Sequence, residues 1–548
     1  MNYYSIKKEK LSPKEVALQQ RQSRKLLWEG FKLHDEARDE RDTIKNLFRK
    51  HLSEETEIFI PHDAQIDVFS NDTGTHMIPD LLKNVLINIK SSTVVRPLTV
   101  EDIKKFVQTA VNNKLPFTIR GTATWPFGGC VPLNGDIILD LSQLRRMTLN
   151  KQDSTLYIEP GVTFAEARNY LRDEGFTLIQ EITNPYSGTV AGWISTGGQG
   201  LGSYKYGHVT ESIAEIQIVT PSGELKTCTK NDKDFSLYTG TEGQLGIITG
   251  ITLKVQENRY ISKPYAFTFQ SCKESVEFIK KISDNDLTPT SVIYYDEPYI
   301  KLVCEIEREN LVKLQQDCLE RKDEKRLSEL SSDLDELKHL KNSSHVIVME
   351  FDTLPDYQKA LRTGMFDSSR PVFKQLPVNL AHKLWDHRYA PVQIKRKGPS
   401  LVVSENIIPL ASLEKYRDFC SRFVKKAMEL NLMTEAHILK NNMVLVQSIV
   451  LADTAHLRHY TYLGLVPFFS QIAINMGGKI YGTGIWNTPF MKNHGEEKLT
   501  ILRKAKEESD PAGYINRGKF LNYKGRNFVY KAFSNYTQKI LAIASHVF

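Results

Sequence analysis

Seven glycines crowd the stretch from Ser187 to Glu211: Gly188, Gly192, Gly197, Gly198, Gly200, Gly202 and Gly207. Each costs about 0.5–1 kcal/mol inside a regular helix or strand, so the stretch is built for something else. A backbone without Cβ atoms lets successive N–H groups close on an anion. A second turn of this kind, RGTATWPFGG at 120–129, follows the apolar run PFTI. Neither turn has the G-x-x-x-x-G-K-[ST] pattern of a phosphate loop. Neither is a G-x-G-x-x-G set between a strand and a long helix. The two turns, followed by YTGTEGQLGIITGITLKV at 238–255, point to a backbone-lined anion cradle rather than to turns that merely pack.

The elements around these turns must hold them. The chain has 548 residues, 41% hydrophobic and 25% charged, an ordinary globular composition long enough for two or three domains. Between 93 and 258 short strand-like runs (TVVRP, PFTIR, DIILD, TLYIEPG, AEIQIVTPSGEL, GIITGITLKV) alternate with helices. Thr99 with Asp102, and Thr163 with Glu166, carry the spacing of helix-opening caps. That alternation predicts a compact α+β domain. Residues 1–75 are highly charged and predict helices packed on the outside. Beyond 258, strand-like runs at 292–305, 345–351, 402–410 and 442–451 are separated by helices, notably 412–430 and 453–475. Leu327, Leu330, Leu334, Leu337 and Leu340 share one helical face, either laid on the domain surface or offered to a partner.

Several function classes drop out. A net charge of +7 is too small and dispersed to argue for nucleic acid, though it leaves attraction to an anionic substrate or membrane surface open. The six cysteines, Cys130, Cys228, Cys272, Cys304, Cys318 and Cys420, include no C-x-x-C pair. This argues against zinc ribbons, iron–sulfur clusters and a disulfide framework, and a reducing cytoplasm is the expected setting. The N-terminus lacks the apolar core of a signal peptide. No run of about 18 apolar residues predicts a membrane span.

The two loops, the GTEGQLGIIT segment and the late DPAGYINRGKF (510–520) together resemble the vanillyl-alcohol-oxidase and p-cresol-methylhydroxylase (PCMH-type) flavoprotein superfamily, and within it the D-lactate dehydrogenase and glycolate oxidase branch. The resemblance covers about 93–258 and, more loosely, 370–525. It implies an α+β fold: a PCMH-type FAD-binding domain of two α+β subdomains at 76–258 and an α+β cap domain with an antiparallel sheet at 259–505. An N-terminal helical extension at 1–75 precedes them, and a C-terminal segment at 506–548 returns to the FAD domain. FAD is the implied cofactor. Arg120, Gly121, Thr122, Ala123, Thr124 and Trp125 would cradle its pyrophosphate. Thr189, Gly192, Ser195, Thr196, Gly197, Gly198, Gly202, Ser203 and Tyr206 would line the other side. Glu242, Gly246, Ile247 and Ile248 would finish the cleft, and Asn516 would reach it from the tail. Family members with a linked flavin carry a histidine or cysteine where this chain has Thr124 and Asn184, so dissociable FAD is expected.

The same resemblance assigns substrate roles. KLWDHR (383–388) matches the segment whose arginine grips a substrate carboxylate, which puts Arg388 in that role. AHILKNNMV (436–444) stands where the branch has H-x-G-D-G-N-x-H: His437 and Asn442 match, while the second histidine is Val444. GGKIYGTGIWN (477–487) stands where the branch has a glutamate and a histidine; here these are Thr483 and Gly484. One of three metal ligands remains, so no metal is expected, and the usual base is missing. His437 is the candidate base and Tyr481 a phenol near the flavin. The G-E-Y-R-T-H segment of phenol-oxidising relatives corresponds to GTGIWNTPF, where Trp486 and Asn487 cannot hold a phenolate; Trp486 is then a candidate pocket wall. The expected activity is FAD-dependent oxidation of a hydroxylated substrate, a 2-hydroxy acid by preference. Electrons would pass to an external quinone, cytochrome, flavoprotein or oxygen. A polyol, aldonolactone or phenol is the alternative substrate, and a non-catalytic FAD-binding or electron-transfer subunit the alternative role. The tail at 523–548 alternates basic and apolar residues and reads as a helix on a membrane surface or on the cap domain.

Overall fold

The computed structural model describes residues 40–62, 64–75, 93–133, 135–258, 262–341, 345–364, 373–398, 400–453, 459–488 and 497–521. Its strands form three sheets. In the first, Val94–Arg96, Ile137–Asp140 and Phe117–Arg120 run parallel in that spatial order. Parallel neighbours need a crossover, and the helix Val100–Asn112 supplies one. Thr99 opens that helix by accepting the Asp102 N–H. Its Ile103, Phe106, Val107 and Ala110 are buried with Phe117 and Leu139.

The N-terminal region departs from expectation. Residues 1–39 lie outside the described residues, but within 40–75 the chain is not simply a helical coat. Glu57–Phe59 adds an antiparallel edge strand beside Val94–Arg96. Phe48 stacks on Phe106 at 4.8 Å, so this segment is part of the first core.

The second sheet orders Met147–Asn150, Thr155–Ile158, Ile247–Glu257, Ile213–Val219 and Leu225–Thr229, all antiparallel, with Phe176–Leu178 pairing the far end of Ile247–Glu257. Helix Phe164–Asp173 covers it, opened by the Thr163–Glu166 capping box.

The third sheet is antiparallel, with eight strands in the order Lys374–Gln375, Lys263–Phe269, His345–Phe351, Ser291–Tyr295, Leu432–Leu439, Met443–Ala452, Ser400–Pro409 and Lys479–Ile480. Its residues sort by period two. Tyr294, Ala436, Val446 and Val402 pack under Leu413–Phe423 and Leu465–Asn475. Ile293, Tyr295, Met433 and Ile449 face the other way. The strand expected at 292–305 stops at Tyr295, and a 25-residue helix, Glu297–Arg321, begins. Asp296 accepts the Tyr299 N–H and Pro298 sits in the first turn, two helix-starting features in an apolar run. The leucine-faced segment is the helix Glu324–Lys341, whose Leu330, Leu337 and Leu340 are buried with Leu311 of its neighbour. The tail at 523–548 lies outside the described residues.

Candidate active site

A cavity of about 670 Å³ lies between the glycine turns and the second face of the cap sheet. Its first wall is backbone. Strand Phe117–Arg120 ends at the loop 121–125, and Arg120 anchors that turn. The Arg120 guanidinium donates to the carbonyls of Val68 (2.5 Å), Asn71 (3.0 Å) and Phe69 (3.5 Å), so its charge is spent on the preceding segment. Asp72 is buried there and accepts the N–H groups of Gly74, Thr75 and Gly128; burial raises its carboxyl above the usual range. Thr73 holds the Ala123 and Thr124 carbonyls. Among the described residues no acceptor receives the N–H groups of Gly121, Thr122, Ala123 or Thr124. Opposite them, Thr189 caps the helix Val190–Ser195. A Cβ on Gly192 would sit 2.8 Å from the Thr189 hydroxyl, and one on Gly121 3.1 Å from it. Unpaired amides in a bare, tightly fitted turn make a cradle suited to a diphosphate.

The C-terminal segment closes this wall. The Asn516 side chain accepts the Ile119 N–H (2.9 Å) and donates to the Glu242 carbonyl (2.8 Å). The Glu242 carboxylate accepts the Gly484 N–H at 3.0 and 3.1 Å, and burial pushes its pKa up to about 7. Lys519, fully buried, donates to Thr118 (3.0 Å), and burial pulls its pKa down to about 8.

The second wall is made of side chains. Register places Tyr295, Glu435, Gln447 and Glu405 in one row across four neighbouring strands. His437 and Leu445 stand in the next row on the same face. Gln447 Nε2 donates to Glu405 Oε1 (2.9 Å) and Trp125 Nε1 to Glu405 Oε2 (3.0 Å), which links the cap sheet to the first loop. Burial raises the Glu405 carboxyl. His437 Nε2 lies 3.0 Å from Glu435 Oε1. Burial pushes Glu435 upward, but its hydrogen bond and attraction to His437 hold it below the ordinary carboxylate range. Leu401, Val403, Leu445 and Ile449 complete an otherwise apolar wall.

Of the residues singled out from sequence, Arg120 to Trp125, Thr189, Gly192, Ser195, Thr196, Glu242, Gly246, Ile247, Ile248, Asn516, His437 and Tyr481 line this cavity. The Tyr481 hydroxyl accepts the Gln199 N–H (3.1 Å), and burial raises its pKa strongly. Gly197, Gly198, Gly202, Ser203 and Tyr206 do not line it. Gly198 and Gly202 adopt positive φ where a Cβ would strike Val209 and crowd the Ile179 carbonyl. Tyr206 donates to Asp352 Oδ2 (2.6 Å), tying the FAD domain to the cap.

Arg388 is the main correction. It is buried away from the cavity, stacked between Trp385 and Tyr389 at 4.0 and 3.9 Å and donating to the Trp385 carbonyl. Its Nε is buried without a hydrogen-bond partner, and the side chain is not among those that line the cavity. Trp486 and Asn487 are also buried off the cavity; Asn487 donates to the Gly482 carbonyl. Gly484 has φ of +48°, and a Cβ there would fall on the Phe127 carbonyl oxygen, so the backbone itself excludes a histidine at this position. Asn442 is exposed in a turn with left-handed φ. Sequence reasoning missed Glu405, Gln447 and Glu435. The available signal was polar residues at alternate positions in otherwise apolar strands. Among the described residues no cluster of three or more His, Cys, Asp or Glu is placed to hold a metal.

Two packed α+β layers carrying backbone-rich loops against an antiparallel cap sheet define a flavoprotein architecture. Residues 91–229 match the FAD binding domain family, and 262–520 match the C-terminal domain of FAD linked oxidases. The chain thus carries both domains of the FAD linked oxidases. Alkyldihydroxyacetonephosphate synthase of Dictyostelium discoideum is 24% identical over 43% of this chain and 41% of its own. The mitochondrial D-lactate dehydrogenase [cytochrome] of Arabidopsis thaliana is 25% identical over 38% of each. The matched stretch thus spans about two fifths of these relatives' length. In fold, p-cresol methylhydroxylase superposes with a TM-score of 0.70 at 13% identity, over 89% of this chain and 98% of that one. An alkyldihydroxyacetonephosphate synthase structure gives 0.65 at 18%, over 87% and 85%. The unpaired amides of 121–124 and the glycine-bared turn around Thr189 fit the pyrophosphate of FAD.

Proposed function

We propose that the protein is an FAD-dependent oxidoreductase acting on a carbon that bears a hydroxyl group. The observation that carries this reading is that His437 opens onto the same cavity as the amide cradle. Bound flavin supplies a hydride acceptor. With Nε2–H donated to Glu435, His437 keeps its Nδ1 lone pair for the substrate hydroxyl proton, and Glu435 fixes that tautomer. Leu445, Ile449, Val403 and Leu401 make the surroundings of the reacting end apolar. Arg388 does not line the cavity, so the 2-hydroxy acid reading rests on the family resemblance. Electrons leave to an external acceptor, a quinone, cytochrome, flavoprotein or oxygen.

The test is anaerobic: purified yellow protein is mixed with hydroxy acids, polyols and phenols one at a time, and the visible flavin band is followed. Bleaching by any of them that falls sharply in His437→Ala supports the reading. A protein that takes up no FAD, or full bleaching in the variant, refutes it.

A further inference from the structure

The cap-sheet wall carries charge of the wrong sign for an acid. Glu405 is 8% exposed, lines the cavity, and has each carboxylate oxygen held by one donor, Trp125 Nε1 and Gln447 Nε2. Two neutral donors on two oxygens orient the group and leave further lone pairs for a ligand donor. Glu435 stands two places along the same row. The cations near the cavity are accounted for differently. Arg120 is spent on three carbonyls, and Arg388, stacked on Trp385 and Tyr389, does not line the cavity. Lys395, half-buried on the turn Pro391–Lys397, lines the cavity, and its ammonium has no hydrogen-bond or ion-pair partner among the described residues. Around Glu405 the wall is Leu401, Val403, Leu445 and Ile449. A carboxylate entering this end would meet a buried like charge in an apolar setting, a juxtaposition that disfavours binding. A hydroxyl or amide N–H would instead donate to Glu405.

We propose that the substrate end of this cavity takes an uncharged, largely apolar hydroxylated molecule and excludes carboxylates, with Glu405 as the specificity-determining residue. This rests on the oxidoreductase reading above and narrows it: the hydroxyl-bearing carbon sits before His437, and Glu405 holds a donor of the same substrate.

The test uses the FAD-loaded protein and two matched pairs. Phenylacetamide and phenylacetate, which carry no hydroxyl to oxidise, are titrated against the flavin spectrum; mandelamide and mandelate are tested as reductants without oxygen. The expected result is that the amide binds about tenfold or more tightly than the acid, and that Glu405→Gln, which keeps an acceptor for Trp125, brings the ratio near one. Flavin content and melting temperature of the variant confirm that it folds. Acid binding as tight as amide binding overturns the proposal. So does a ratio unchanged in Glu405→Gln, acid binding abolished by Lys395→Ala, or failure of both probes to bind. An amide preference that needs Glu405, with neither mandelamide, mandelate nor any hydroxy acid, polyol or phenol of the panel above reducing the flavin, keeps the selectivity and refutes the oxidoreductase reading. Bleaching by mandelate alone does the reverse.

Discussion

The two walls of the cavity are built from different material. The FAD-domain wall is backbone: unpaired amides at 121–124, glycines without room for a Cβ, and side chains such as Arg120 and Asn516 used as struts. The cap wall is side chains projected from a regular sheet, with Glu405, Gln447, Glu435 and His437 brought into two rows by strand register. The first wall depends on local conformation and tolerates little change in residue size. The second depends on which strands are neighbours, and its chemistry changes with single substitutions while the sheet persists.

That contrast is open to breakage from both sides. Gly484→Ala should be the most damaging change, because positive φ and the Phe127 carbonyl both oppose a Cβ. A loss of about 4–5 kcal/mol is expected, read as a large drop in melting temperature and in bound flavin. On the cap wall, His437→Ala should slow flavin reduction by about 10²–10⁴-fold and also lower the melting temperature, because it leaves the buried Glu435 carboxylate without its partner; Glu435→Gln should cost less, measured in the same stopped-flow trace.

Glu242 gives an effect on the pH axis. It releases its proton near pH 7 when folded and near 4.5 when unfolded. The folded state therefore holds more protons between those values, and stability falls as pH rises from about 4.5 to about 7. Lys519, at about 8 folded against 10.5 unfolded, acts oppositely: stability recovers as pH rises through that window. Glu242→Gln should flatten the first slope, worth about 3 kcal/mol, in melting curves taken across pH. Smallest is Trp125→Phe, which removes one donor from Glu405 across the two walls. It should cost about 1–2 kcal/mol, and a larger effect would mean that the walls are not separable.

The legibility of the two walls differs for the same reason. The strands Phe117–Arg120 and Ile247–Glu257, the capping box at Thr163 and the two glycine turns follow from short-range patterns, and so were readable. Arg388 shows the failure: KLWDHR matched a motif, but the helix it belongs to presents the guanidinium to Trp385 and Tyr389. The helix at Glu297–Arg321 starts inside an apolar run that by period alone reads as strand, and its cap, Asp296, is the local sign of the change.

The sequence by itself determined where the backbone must be bare, because φ > 0 and close approach are conditions that few residue types but glycine satisfy. Tertiary structure alone decided what faces the substrate. Glu405 and Glu435 are 30 residues apart in the chain and become parts of one row only through the intervening strand Met443–Ala452, since pairing register is set by long-range burial of sheet faces rather than by any local spacing.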